Sequence, residues 1–144
     1  MTLRILEKWF NTAPWPNAEY IVAAGGQRFW AFWLRRFERA YEFHVRYRGK
    51  WVAVVNTLVE PDGTLTLADI VVFERHRLRQ QGLGTAMMEE VKRWARRHHL
   101  RRIWGFIMPH DGSTVEYLVG WYRKQGFQVY AAKPGKYQIQ MKLD

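Results

Sequence analysis

The sequence predicts an α/β fold: one domain with a mixed central sheet of about six or seven strands flanked by helices. Three observations predict it. Short stretches with period-two or β-branched character recur along the chain, and they are interleaved with stretches of three- and four-residue apolar spacing. The 144 residues suit a single core, and no repeat, low-complexity tract or linker divides them. Apolar residues make up 48% of the chain, more than a disordered tail carries.

Residues 1–18 are assigned no element, because "TAPWP" (Thr12–Pro16) would break any helix begun by "LRILEKWF". Glu19–Ala24 reads as a short strand closed by Gly25-Gly26. "QRFWAFWLRRFERAY" follows as a helix, with Trp30, Trp33, Leu34, Phe37 and Tyr41 on one stripe. Phe29 and Phe32 lie off that stripe, either widening the core face or lining a pocket. Three strands come next, Phe43–Arg48, Trp51–Val59 and Leu65–Phe73, joined through "RGK" and the turn "EPDG" as an antiparallel meander. Gly84–His98 is a helix with Met87, Met88, Val91, Trp94 and Ala95 on its apolar stripe. Lys92, Arg93, Arg96 and Arg97 fall on its solvated side or in its last turn. Ile103–Met108 is a strand stopped by Pro109. Ser113 and Glu116 match a capping box that opens the helix "TVEYLVGWYRKQ", which Gly126 closes. Strands Phe127–Ala132 and Lys136–Leu143 flank "KPG".

Composition narrows the function. With no cysteine, disulfides, thiolate metal sites and a cysteine nucleophile are excluded. No apolar run approaches the ~20 residues of a membrane span. The N-terminus lacks a basic head followed by an apolar stretch, which argues against a signal peptide and for a cytoplasmic, non-membrane protein. No His, Asp or Glu cluster has metal-ligand spacing, so no metal is expected. The formal charge of +10 favours anionic partners, namely nucleic acid, an acidic membrane or a phosphate-bearing cofactor, against the plain alternative of an arginine-rich soluble surface.

The stretch "RLRQQGLGTAMM" carries the chemistry. Arg79-x-x-Gly82-x-Gly84 stands where a strand gives way to a helix. First-turn amides of a helix lack internal partners and sit at the positive end of its dipole. Glycines let a phosphate reach that backbone, and Arg79 adds a forked cation. The spacing suits a pyrophosphate site or a plain tight turn. It does not suit a P-loop, since Thr85-Ala86 follows the last glycine, nor a dinucleotide fingerprint, since Met87 stands where a small residue is required.

From Leu65 to Tyr130 the chain resembles the GNAT superfamily of N-acetyltransferases. Arg79-x-x-Gly82-x-Gly84 matches its acetyl-CoA signature, and Tyr122-Arg123-Lys124-Gln125-Gly126-Phe127 matches its Tyr-x-x-x-Gly-Phe segment. The first sixty residues show no such match. The resemblance implies residues 65–130 as an acetyl-CoA-binding core and 1–60 as the acceptor side of one domain spanning 1–144. It implies that the strand before the signature and the next one splay apart, with the pantetheine arm between them. Backbone at Val71, Val72 and Phe73 would pair with that arm, and Arg79, Gln80, Gln81, Gly82, Leu83, Gly84 and Thr85 would hold the pyrophosphate. Tyr122 would be the acid for the departing thiol of this cosubstrate. The base is open among Asp69, Glu74, His76, His110 and Glu116. Asp69 stands out as a carboxylate inside an apolar strand, against the alternative of a hydrogen-bonded structural acid.

The activity so implied is transfer of an acetyl group from acetyl-CoA to a primary amine on a small molecule or protein, by a monomer or homodimer. Two alternatives stand beside it. One is a basic nucleic-acid-binding module using "KRWARRHHLRR", with RNA as a secondary partner; the other is an inactive CoA-binding relative.

Overall fold

The computed structural model describes residues 5–11, 18–24, 39–73, 82–107 and 114–143. The helix read over "QRFWAFWLRRFERAY" lies outside the described residues except at its end. There, Ala40 and Tyr41 belong to a strand instead.

Eight strands form one sheet: β1 (Ile5–Asn11), β2 (Ala18–Ala24), β3 (Ala40–Tyr47), β4 (Lys50–Val59), β5 (Thr64–Val72), β6 (Arg102–Phe106), β7 (Gln128–Lys133) and β8 (Lys136–Lys142). Helix α1 (Leu83–Arg97) joins β5 to β6, and α2 (Val115–Lys124) joins β6 to β7. The sheet order is β1-β2-β3-β4-β5-β6-β8-β7. Only β5 and β6 run parallel; every other neighbouring pair is antiparallel. The crossover through α1 produces that one parallel pair.

The count exceeds the expected six or seven strands by β1. That strand is held by partners far away in sequence. The Trp9 indole donates to the Glu90 carboxylate at 2.7 Å, and the Trp94 indole donates to Glu7 at 2.5 Å. Both acceptor–donor pairs join β1 to α1, so no local pattern in residues 5–11 announces the strand.

Helix α1 buries Leu83, Met87, Met88, Val91, Trp94 and Ala95 on the sheet, as its periodicity predicts. Tyr41 and Phe43 of β3 each pack on Trp94 at a ring distance of 5.1 Å. The same face of the sheet supplies Tyr20, Val22, Val45, Val55, Leu65, Leu67, Ile103 and Ile139 to this core. Lys92 departs from expectation. It is buried rather than solvated, with its ammonium donating to the Gln125 carbonyl at 2.5 Å and to Glu89 at 2.9 Å. An ammonium tolerates burial only with such partners. Helix α2 also starts one residue later than the sequence suggests. Thr114 caps it, its hydroxyl accepting from the Tyr117 amide at 3.1 Å, and Glu116 sits exposed in the first turn.

The feature that positions the site is where β5 and β6 part. Their ladder runs from Thr64 and Arg102 to Leu67 and Gly105 and stops. Beyond it, β5 stays with β4 through the pair Val72 and Ala53, while β6 stays with β8 and Ile107 donates to the Tyr137 carbonyl. A bulge at Ala68 marks the parting, because Asn56 and Thr57 of β4 pair with Asp69 and Leu67.

Candidate active site at the β5–β6 splay

Past Leu67, the side of β5 that would face β6 has no strand beside it among the described residues. Backbone groups alternate along a strand. The Phe73 amide donates to Val52 of β4 at 2.8 Å, so Phe73 and Val71 turn toward β4. Val72 therefore turns its N–H and C=O into the splay. Of the three residues expected to pair with a pantetheine arm, the register singles out Val72, while the Phe73 amide is engaged elsewhere.

The next described element after β5 is α1. Gly82 is the N-cap, with φ of 79°, a left-handed conformation that favours glycine. The first intrahelical bond runs from the Ala86 amide to the Gly82 carbonyl at 2.9 Å. The amides of Leu83, Gly84 and Thr85 precede it in the turn that has no internal acceptors. No acidic residue stands in that turn, so the positive end of the helix dipole is uncompensated there, and Arg96 and Arg97 balance the other end. A Cβ on Gly84 would lie 3.3 Å from the Trp121 ring, so this turn rests directly on α2. Arg79, Gln80 and Gln81 lie outside the described residues, as do Glu74, His76, His110 and the aromatic residues Phe29, Trp30, Phe32 and Trp33.

Tyr122 and Asp69 are near enough for the charge of Asp69 to act on the phenol. Tyr122 is buried on α2 between the rings of Trp121 (4.9 Å) and Phe127 (5.5 Å). Its phenol is pushed up to about 12, first by burial and then by the negative charge of Asp69. Asp69 is half-buried on β5, one residue past the bulge. Glu116 is exposed on the first turn of α2. The charge of Asp69 thus reaches Tyr122 although 53 positions separate the two in the chain (122 − 69).

Gln125 is a buried residue beside the start of α1 that the motif reading passed over. Its amide nitrogen donates to the Thr85 hydroxyl at 3.1 Å. Its position inside Tyr122-x-x-x-Gly126-Phe127 served only as a spacer in the sequence. Among the described residues no group of His, Asp or Glu could hold a metal ion. No helix among them is long and apolar enough to cross a membrane. A groove of about 670 Å³ among the described residues is lined by Asp62, His99, Arg101, Arg102 and Lys142 at the end of the sheet opposite the splay, away from Tyr122 and the start of α1.

Comparison with known proteins agrees with this geometry. The family described as acetyltransferase (GNAT) matches residues 2–127, so the likeness takes in the first sixty residues, where no motif is legible. No curated protein sequence matches the chain. Among solved structures, an IAA acetyltransferase from Bacillus cereus superposes with a TM-score of 0.60 at 15% identity, covering 76% of this chain and 81% of that one. A GNAT family acetyltransferase from Elizabethkingia anophelis with acetyl-CoA bound gives 0.60 at 14% identity, covering 76% and 80%. The ribosomal-protein-S18-alanine N-acetyltransferase from Escherichia coli gives 0.55 at 24% identity, covering 74% and 69%. At these identities the structural likeness is one of fold, and together with the family match over most of its length it establishes that the chain belongs to the GNAT acetyltransferase family.

Proposed function

We propose that this chain is an acetyl-CoA-dependent N-acetyltransferase acting on a primary amine. The reading is carried by the open edge of β5 past Leu67 together with the next helix in the chain, whose first turn holds no acidic residue. Both features fit the ligand. An extended arm with amides can add to the edge at Val72 as a further strand would. A diphosphate can rest on the amides of Leu83, Gly84 and Thr85, and Arg79, Gln80, Gln81 and Gly82 are the further ligands that the signature implies. Val71 and Phe73 flank the contact at Val72.

Bound acetyl-CoA supplies an acyl group activated as a thioester. The chain supplies position and protons. Tyr122 holds its proton on the phenol oxygen throughout the neutral range, because its pKa lies at about 12. It can therefore donate a hydrogen bond to the sulfur as negative charge develops there. A phenol at about 12 yields its proton less readily than one at about 10, so hydrogen-bond donation is the larger part of its contribution. Asp69, half-buried at the same splay, is the acceptor for the proton of the incoming amine. The acceptor side lies with residues 1–60, and the acceptor is a small molecule or a protein.

Coenzyme A at a hundred times its Kd should stabilise the protein by about 2.7 kcal/mol, seen as a rise in melting temperature. With an acceptor found by screening amines, Tyr122→Phe should bind coenzyme A normally and transfer about a hundredfold more slowly. Unchanged turnover would remove Tyr122 from the chemistry. No shift with coenzyme A, alongside a shift with RNA, would favour a basic nucleic-acid-binding module instead.

A further inference from the structure

Three contacts seat the C-terminal end of α2 on the first turns of α1. Trp121 lies against Gly84, Gln125 reaches Thr85, and Lys92 reaches Gln125. Thr85 and Lys92 are seven residues apart, so they share one face of α1. Gln125 is held from several sides. Its backbone N–H donates to the carbonyls of Trp121 and Tyr122, both at 3.1 Å, and its own carbonyl accepts from the buried Lys92 ammonium at 2.5 Å. Its side-chain amide is the remaining arm, and that arm donates to the Thr85 hydroxyl at 3.1 Å.

The consequence lies in the hydrogen-bonding capacity of the hydroxyl. A threonine hydroxyl has one proton to donate and two lone pairs to accept with. When an amide N–H occupies a lone pair, the O–H must point elsewhere. Thr85 is exposed and occupies the third helical position of α1, beside the free first-turn amides. Its proton is thus not spent on Gln125 and is available to an acceptor beside those amides.

We propose that Gln125 is a positioning residue for diphosphate binding: by donating to Thr85 it turns the threonine hydroxyl outward as one more donor to the anion, and Lys92 holds Gln125 in place to do so. This rests on the acetyl-CoA reading above. It adds a side-chain donor to the backbone amides and ties that donor to the helix carrying Tyr122.

The test is a double-mutant cycle read as coenzyme A affinity by calorimetry. Thr85→Val, nearly isosteric at an exposed position, should weaken binding about tenfold, the loss of one hydrogen bond to a charged group. Thr85→Ser should bind within about twofold of the parent, because it keeps the hydroxyl. Gln125→Met should weaken binding severalfold by leaving that hydroxyl free to rotate. The double variant should bind no more weakly than Thr85→Val alone, since both act through one proton. A purely structural Gln125 would instead lower the melting temperature of the ligand-free protein and give additive losses in affinity. Additivity overturns the proposal, as does parental affinity in Thr85→Val, a variant that keeps the proposal testable even if Gln125→Met fails to fold. If the parent itself does not bind coenzyme A, the acetyl-CoA reading falls first. If the parent binds and the variants match it, only the role of Gln125 and Thr85 falls.

Discussion

Tyr122 shows how one side chain serves packing and chemistry together. Its ring belongs to the core, between Trp121 and Phe127, and the same burial pushes its phenol to about 12. That shift is also a statement about stability. Below pH 10 the phenol is protonated in both folded and unfolded chains, and its contribution is fully present. Between pH 10 and about 12 the unfolded tyrosine ionises while the folded one resists, so stability falls as pH rises. The loss from Tyr122 is on the order of 2–3 kcal/mol across that window. Tyr20, likewise raised to about 12 by burial and by Glu90, acts in the same direction. Chemical denaturation at pH 9 and pH 11.5 should show Tyr122→Phe with a shallower alkaline decline than the parent; equal declines would remove Tyr122 from this linkage. The residue's type and place in Tyr-x-x-x-Gly-Phe are legible in the sequence. The action of the Asp69 charge on it is not, because that depends on the folded chain.

The strands show the same division at the scale of an element. Period-two patterning and the turn at Glu60–Gly63, where the Gly63 amide donates to the Glu60 carbonyl at 3.0 Å, locate β4 and β5 from sequence within a residue or two. The parting of β5 from β6 depends on contacts across the sheet. Gly105 forms the last rung with Leu67, and a Cβ there would stand 2.9 Å from the Leu67 carbonyl oxygen. Backbone cannot yield cheaply at that distance. Gly105→Ala should therefore cost about 1–3 kcal/mol, read from the urea midpoint, and open the ladder at this rung. A midpoint equal to the parent's would mean that the last rung is not needed to set the splay. Helix α1 was legible in its apolar stripe. Lys92 was not, since its charge suggested the solvated face and its burial follows from a carbonyl on α2.

Across the whole molecule, the edge of the sheet is fastened to the helix that starts at the splay. Glu7 of β1 accepts from the buried Trp94 indole and pairs with Arg97 at 3.3 Å and His98 at 3.1 Å. Glu7→Ala leaves the Trp94 N–H without its acceptor and should cost about 1–3 kcal/mol. Glu7→Gln keeps an acceptor and loses only exposed ion pairs, for a cost of roughly 1 kcal/mol or less. Equal losses in the two variants, measured by urea unfolding, would show that charge rather than the indole bond holds this edge. Such contacts span more than 80 positions, which is why β1 has no signature in residues 5–11 while the family match reaches back to residue 2. Local chemistry carried the α/β class, most strands, both described helices and the glycines at the start of α1, because periodicity and glycine conformation act within a few residues. The eighth strand, the buried Lys92, the Gln125–Thr85 contact and the action of the Asp69 charge on Tyr122 depended on the folded chain, because each joins groups that only packing brings within reach.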